Sequence, residues 1–519
     1  MEGETMKRIS MALKGLCLFY ALLLAQGASA AEYIVKYRST AFFSSFSADN
    51  MQVLDTHPEA NLVKVSVPEG TQLQAAMRLY SNTNVEYVVP NIKLRTFLQP
   101  VDMTPANLRS QYALAKVKAE EAWGRAGNKG SKKVVVAVID TGVDYNHSAL
   151  APNMVPGYDF KNNNNDPMDR TGMQNPGHGT HCAGIIGATG LVAGGTIGLS
   201  PEVSIMPLRF LDENGGGDLM DGIKAIDWAI QNKAHVISAS WGARVSRSQA
   251  QPLIEAVERA GAAGIPFVVA AANDGKNNDT TEYYPTNAGT DNTISVSASN
   301  ASDAKPSWSN YGKAKVHVAA PGEGIISTVP KNKYSEMSGT SMATPLVAGL
   351  VAFLKAHNPE LTPLQIRSLL QASGDKVDIA VACDCRVNAL TAIDMLLAKK
   401  MYVSPNALTL AKGETKAFEA VFGEAPFQFV SSNAAVATID NQGVLTAVSE
   451  GETTVSITDA RGQSATSYKV YVGQPQSSPG NPGNPGNPGD PGDGSCPIGD
   501  PAMCEIACQF MPDLPFCEK

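Results

Sequence analysis

Residues 134–139 read Val-Val-Val-Ala-Val-Ile, an unbroken apolar run dominated by β-branched side chains. A run of this kind suits a strand buried on both faces, and such strands belong to parallel sheets covered by helices on either side. Residues 235–239, 265–271, 293–297 and 316–320 repeat the pattern. Between and after them, residues 218–231, 249–262, 341–356 and 363–372 carry apolar side chains at helical spacing. The alternation predicts an α/β fold, a doubly wound and mainly parallel sheet over residues 101–398. In such sheets sites form beyond the carboxyl ends of the strands. Polar residues directly after the apolar runs are therefore the first to consider.

Asp140 ends the first run and opens Thr141-Gly142-Val143-Asp144. A turn former is the commoner role for Asp before Gly, and Asp144 competes for any chemistry from farther along the loop. His178 opens His178-Gly179-Thr180-His181-Cys182-Ala183-Gly184. Two histidines three apart share a helical face and suit zinc. However, no third ligand lies nearby and no carboxylate stands between them, as a metalloprotease base would require. One catalytic histidine with a structural neighbour is the better account, with Cys182 a small buried apolar residue. Asn273 ends the 265–271 strand stretch in Ala272-Asn273-Asp274-Gly275, as a turn former or as an amide donor aimed into the crevice. Ser341 lies in Ser338-Gly339-Thr340-Ser341-Met342-Ala343-Thr344-Pro345, just before an apolar helical run. Pro345 lacks an amide proton and places the helix start close to Ser341. Unpaired N–H groups and the positive dipole end then face the serine hydroxyl. A plain Ser/Thr cap is the alternative for that motif taken alone.

An Asp, a His, an Asn and a Ser in this order, each at a strand end or helix start, resemble the four signatures of the subtilisin-like serine proteases, the subtilases. The matching stretches are Asp140-Thr141-Gly142, His178-Gly179-Thr180-His181, the Asn273 turn and Gly339-Thr340-Ser341-Met342-Ala343. The resemblance spans about residues 32–398. It implies that Ser341 is the nucleophile, His178 its base, Asp140 the residue that orients the imidazole, and Asn273 an oxyanion donor. It also implies that Ser240, Trp241, Gly242, Ala271 and Ala272 line the substrate pocket, with Tyr284-Pro285 at its far side. Tyr283 falls at the pocket floor, where several members carry Gly, so the pocket is expected to disfavour the largest aromatic residues. No acidic residue lines it, which speaks against a preference for basic residues. The oxygen-rich loop with Asp159, Asn162 to Asn165, Asp166 and Asp169 lies where many subtilases bind Ca²⁺, a structural role, with a solvated polar loop as the alternative. The chemistry itself requires no cofactor.

The ends of the chain carry other signals. Lys7, Arg8 and Lys14, the apolar residues 16–25 and Ala28-Ser29-Ala30 read as a signal peptide over residues 1–30, with export and secretion as the outcome. That run is too short to span a bilayer comfortably, and no other segment is a transmembrane candidate. Residues 31–100 are expected to form a small α+β unit, with strands at 32–37, 62–67 and 85–94 and a helix at 73–80. Residues 84–91 resemble the end of the inhibitor-type propeptides that precede subtilases. This implies a self-processing precursor whose propeptide acts as intramolecular chaperone and inhibitor and is cut off somewhere in 96–108. Residues 400–473 turn to short alternating strands, and 431–451 resemble bacterial Ig-like group 2 domains, an all-β sandwich with a possible surface or matrix ligand. Residues 474–495 repeat Asn-Pro-Gly and read as a linker. The tail, 496–519, holds Cys496, Cys504, Cys508 and Cys517, for which three disulfide pairings are open. Cys383 and Cys385 are too close to pair easily. The net charge of −8, with no basic cluster, argues against a nucleic-acid partner.

Two functions compete on this reading. One is a secreted serine endopeptidase that hydrolyses proteins and peptides; the other is a binding or adhesive protein on an inactive subtilase scaffold. The intact set of Asp140, His178, Asn273 and Ser341 favours the enzyme. A metal-dependent hydrolase using His178 and His181 is a weaker third, which chelator-insensitive activity would remove.

Overall fold

All five apolar runs become neighbouring parallel strands of one nine-stranded sheet in the computed structural model. The structure describes residues 31–38, 51–68, 82–99 and 111–473, with Thr71, Ala75, Arg78 and Leu79 between the first blocks. The expected signal peptide, the linker, the cysteine tail and most of the expected helix at 73–80 lie outside the described residues. From one edge the sheet runs Asp375–Lys376, Cys385–Arg386, Val318–Pro321, Thr293–Ser299, Phe267–Ala270, Val236–Ala239, Val135–Asp140, Ser204–Arg209 and Tyr158–Asp159. Leaving Val135–Asp140, the chain first builds outward to Ser204–Arg209 and then returns to the other side at Val236–Ala239. The strand order reverses there, which opens a crevice at the carboxyl ends of those two strands.

Ser204–Arg209 is a central strand that the residue pattern hides, because Pro207 lies inside it and Arg209 ends it. Proline cannot donate to a ladder. On the side away from Val135–Asp140 the pairing steps around it, since Met154 bridges Ile205 and Tyr158 pairs with Leu208. The expected helices form at Leu219–Gln231, Gln251–Ala262, Thr340–His357 and Pro363–Ser373. Thr340–His357 is buried from Thr340 to Lys355, so it runs through the core rather than over it. His178–Gly187 is a further helix, buried along its whole length.

Residues Ile92–Pro475 form one compact unit, and the chain up to Asn91 belongs to another. The latter is a four-stranded antiparallel sheet in the order Gln52–His57, Leu62–Val67, Ala31–Tyr37, Val85–Pro90. The strand expected at 85–94 is in fact two. Val85–Pro90 stays in that sheet, whereas Lys93–Thr96 is the middle strand of a three-stranded sheet, between Trp241–Gly242 and Gly216–Asp218. A unit boundary falls between them, nine residues before the expected limit at residue 100.

The Ig-like segment consists of short strands from Tyr402–Ser404 to Val470–Val472 around its own apolar cluster of Val403, Phe418, Leu445, Val455 and Ile457. Thr415–Ala417 and Glu419–Val421 are separate strands that enter different sheets on either side of buried Phe418. Cys383 and Cys385 form a disulfide, contrary to the expectation that they stand too close. Asp384 between them adopts a left-handed φ of 44°, which folds the chain back and brings the two Cα atoms to 5.0 Å.

Candidate active site

Asp140 is the last residue of its strand and is buried. Its Oδ1 accepts from the Thr141 amide at 2.7 Å and faces His178 Nδ1 at 2.7 Å. His178 begins its helix. The Asn175 side chain fixes that start by accepting from the backbone N–H groups of Gly177 and His178. The close approach needs glycine at 179, because a Cβ there would lie 2.1 Å from the Gly142 carbonyl. Burial alone would lower the His178 pKa, but the Asp140 carboxylate outweighs it and holds the imidazole well above its ordinary value. Its Nε2 is buried without a hydrogen-bond partner. His181 goes the other way: burial pulls it down to about 3, and its Nε2 bonds to the Ser335 carbonyl. It is a neutral packing residue and not the partner of a metal site.

Ser341 occupies the first turn of Thr340–His357, and Pro345 sits one turn further in. A proline there has no N–H for the Ser341 carbonyl. The freed carbonyl accepts instead from Ser240 Oγ at 3.0 Å and from Cys182 Sγ at 3.5 Å. The Cys182 sulfur also stands 4.0 Å from His178 Nδ1, so it wedges between the histidine helix and the serine helix. The Ser341 hydroxyl donates to the Ser240 carbonyl at 2.9 Å. Asn273 completes the cluster. Its Oδ1 accepts from both Thr340 N and Thr340 Oγ1 at 2.9 Å, which turns its Nδ2 toward the crevice.

The crevice is occupied by the protein's own residues 93–99. Arg95 and Thr96 pair with Gly242 and Trp241, and Lys93, Leu94 and Arg95 pair with Asp218, Gly217 and Gly216. Phe97 N donates to the Ser240 carbonyl at 3.2 Å, and the Phe97 carbonyl accepts from Asn273 Nδ2 at 2.7 Å. Past that carbonyl, Gln99 N donates to the Ser338 carbonyl at 3.0 Å and Gln99 Nε2 to the Asn273 carbonyl at 3.2 Å. A Cβ on Gly339 would come within 2.6 Å of the Phe97 oxygen, so only glycine lets the carbonyl approach here.

The crevice thus holds a buried carboxylate–imidazole pair, a helix-start serine and an amide donor, and comparison with known proteins gives the chain's family. The model of the subtilase family matches residues 131–383. Thermitase of Thermoactinomyces vulgaris is 39% identical over 267 residues, covering 51% of this chain and 89% of that protein. A thermophilic serine proteinase of Bacillus sp. (strain AK1) is 39% identical over 299 residues, covering 58% of this chain and 70% of that one. The chain belongs to the subtilase family. With that membership it is a serine endopeptidase. Residues 398–470 match the model of the bacterial Ig-like domain (group 2).

The other residues expected in this subtilase's site divide into two groups. Trp241 and Gly242 give their backbone to the crevice strand, and the Trp241 side chain points inward, its Nε1 donating to the Ile139 carbonyl at 2.7 Å. Ala271 and Ala272 are buried, and Ala272 carries a strained φ of 90°. Asn310, which the sequence did not single out, braces that turn: its N–H donates to the Ala272 carbonyl, and its Oδ1 accepts from Asp274 N and Lys276 N. Tyr283 is buried, and burial with the nearby Asp274 carboxylate pushes its phenol up to about 12.

The three aspartates expected to hold calcium do not form a ligand set. Asp159 is buried against Arg209, whose Nη1 lies 2.6 Å from its Oδ2. Asp169 is saturated by Thr141 Oγ1, Asn175 Nδ2, Thr180 N and Thr180 Oγ1. Asp166 accepts from the Tyr145 hydroxyl at the surface. Among the described residues, Asp140, His178 and Cys182 are the one trio of His, Cys, Asp or Glu side chains whose donor atoms converge. The oxygen-rich loop is held by its own protein donors, and Asp169 ties the strand end at Thr141 to the start of the histidine helix.

Proposed function

We propose that this subtilase hydrolyses peptide bonds of proteins through an acyl-enzyme formed on Ser341. A hydroxyl is a weak nucleophile at neutral pH and needs an adjacent base. His178 takes the Ser341 proton through Nε2 and returns it to the leaving amine, while Asp140 holds the imidazole and stabilises its charged form. Asn273 Nδ2 and the Ser341 backbone N–H bind the oxyanion. The observation that carries this reading is the buried 2.7 Å contact between Asp140 and His178 Nδ1, with the opposite ring nitrogen left unpaired.

Substrates bind as a third strand between Gly216–Asp218 and Trp241–Gly242, the mode that residues 93–96 already display. The protein is made as an exported precursor with residues 31–100 as its propeptide, and it processes itself. Residues 400–473 serve as an accessory module. No described helix is long and apolar enough to cross a membrane, and the N-terminal signal supports secretion. The test is hydrolysis of a denatured protein by the parent and by Ser341→Ala. Loss of all hydrolysis in the variant supports the reading, and equal activity in both would overturn it.

A further inference from the structure

We infer that the first bond this enzyme cuts in its own chain is Phe97–Leu98, and that it reads its own sequence Leu94-Arg95-Thr96-Phe97 as a cognate substrate. The inference rests on the protease reading and adds the bond and its recognition. Five backbone residues, Lys93 to Phe97, are held on the amino side, and Gln99 is held on the carboxyl side. The Phe97 carbonyl alone faces the Asn273 amide. A segment gripped on both sides of one carbonyl is in substrate register, not merely lying across the crevice.

The side chains agree with the backbone. Leu94 is fully buried, Lys93 and Arg95 are exposed, and Lys93 pairs with Asp218. The Phe97 ring lies against the bare backbone of Gly242, where an added Cβ would sit 2.7 Å from Phe97 Cζ. The residue whose carbonyl meets Asn273 is thus aromatic, which argues against a pocket that excludes aromatics. The expected preference is an aromatic residue before the cut bond and a large aliphatic residue three positions earlier.

The Ser341 hydroxyl takes part in the same crevice bonding. The Ser341 hydroxyl donates to the Ser240 carbonyl, the same oxygen that accepts from Phe97 N. The step requires rotation about the Ser341 Cα–Cβ bond so that the hydroxyl reaches His178 Nε2. Ser341 Oγ then adds to the Phe97 carbonyl carbon while its proton passes to His178. The C–N bond to Leu98 breaks as that proton moves to the Leu98 nitrogen, leaving Phe97 as an ester on Ser341. One water, deprotonated by His178, hydrolyses the ester to the Phe97 carboxylate and restores the Ser341 hydroxyl.

The experiment is a time course of the full-length precursor, its first N-terminus read by mass spectrometry, beside hydrolysis of denatured casein. Ser341→Ala, Phe97→Asp and Phe97→Tyr precursors run in parallel. The inference expects Leu98 as the first new N-terminus in the parent and in Phe97→Tyr. It expects an uncut Ser341→Ala and appearance of Leu98 slowed roughly tenfold or more in Phe97→Asp, since an apolar pocket rejects a charge. Casein digestion with a different first N-terminus, unmoved by Phe97→Asp, overturns the bond and leaves the protease standing. Precursors that all stay uncut and inert overturn both. Cutting at Leu98 in Ser341→Ala overturns self-processing.

Discussion

On the proposed mechanism, His178 carries the pH dependence of this site. The base works only when neutral, and Asp140 holds its pKa above the ordinary imidazole value of about 6.5. Activity is therefore expected to rise with pH through a midpoint above that value. The same contact stabilises the fold most below about pH 6.5, where the unfolded imidazole is also protonated, and that contribution fades as pH climbs through the raised folded value. Asp140→Asn should move the kcat/KM midpoint down and cut the rate by about 10⁴-fold; an unchanged midpoint would show that the carboxylate does not set it. Asn273→Ala should cost about 10²- to 10³-fold in kcat with KM little changed, the loss known for such a donor in the relative subtilisin. Ala272 just before it pays a backbone penalty at φ 90°. Ala272→Gly, in a Ser341→Ala background, should gain about 1 kcal/mol in denaturant unfolding. That Asp140, His178, Asn273 and Ser341 face one crevice could be anticipated, because strand ends and helix starts in an α/β sheet converge there. Asn175 and Asn310 could not be, since a brace is defined by what it touches across the chain.

At the scale of elements, the parallel strands were readable because each is buried on both faces and almost uniformly apolar, and the long helices because their apolar residues recur at helical spacing. The misses share a cause. Ser204–Arg209 carries a proline that only its neighbours' spacing excuses, and Lys93–Thr96 is a strand only because Gly216–Asp218 and Trp241–Gly242 flank it. The oxygen-rich loop depends on the same hidden strand, since Arg209 at its end pairs with Asp159. Asp159→Ala would leave the buried guanidinium with only the exposed Glu213 carboxylate, 3.8 Å away, and a loss approaching roughly 3 kcal/mol in unfolding free energy is expected. Arg209→Met with Asp159→Leu, which removes both charges, should recover most of it. If chelator treatment of the parent reproduced the Asp159→Ala loss, a cation rather than Arg209 would be the partner.

In the whole molecule, the Ig-like segment is joined to the catalytic core by more than a tether. Tyr402 and Val421 belong to the same apolar cluster as the helix Pro363–Ser373 and the strands of the large sheet. The Tyr402 hydroxyl donates to the Gln365 carbonyl, Asn406 N donates to Ser368 Oγ, and Lys416 pairs with Asp291. Burying those two apolar side chains is worth roughly 1.5–3 kcal/mol each, an upper bound for such bookkeeping. The exposed Lys416–Asp291 pair adds at most about 1 kcal/mol. A coupling of this size is comparable to the stability of a small domain, so the two should unfold together. Calorimetry of residues 111–473 is not the test, because removing residues 92–110 empties the crevice as well. The full chain carrying Ser341→Ala, which cannot digest itself, should show one cooperative transition over the catalytic and Ig-like segments, and Tyr402→Ala should split it into two. Two transitions in the parent would mean that the Ig-like module is an independent passenger. A single transition would make it part of the enzyme's stability, and its loss would then lower activity at high temperature without touching Asp140, His178 or Ser341.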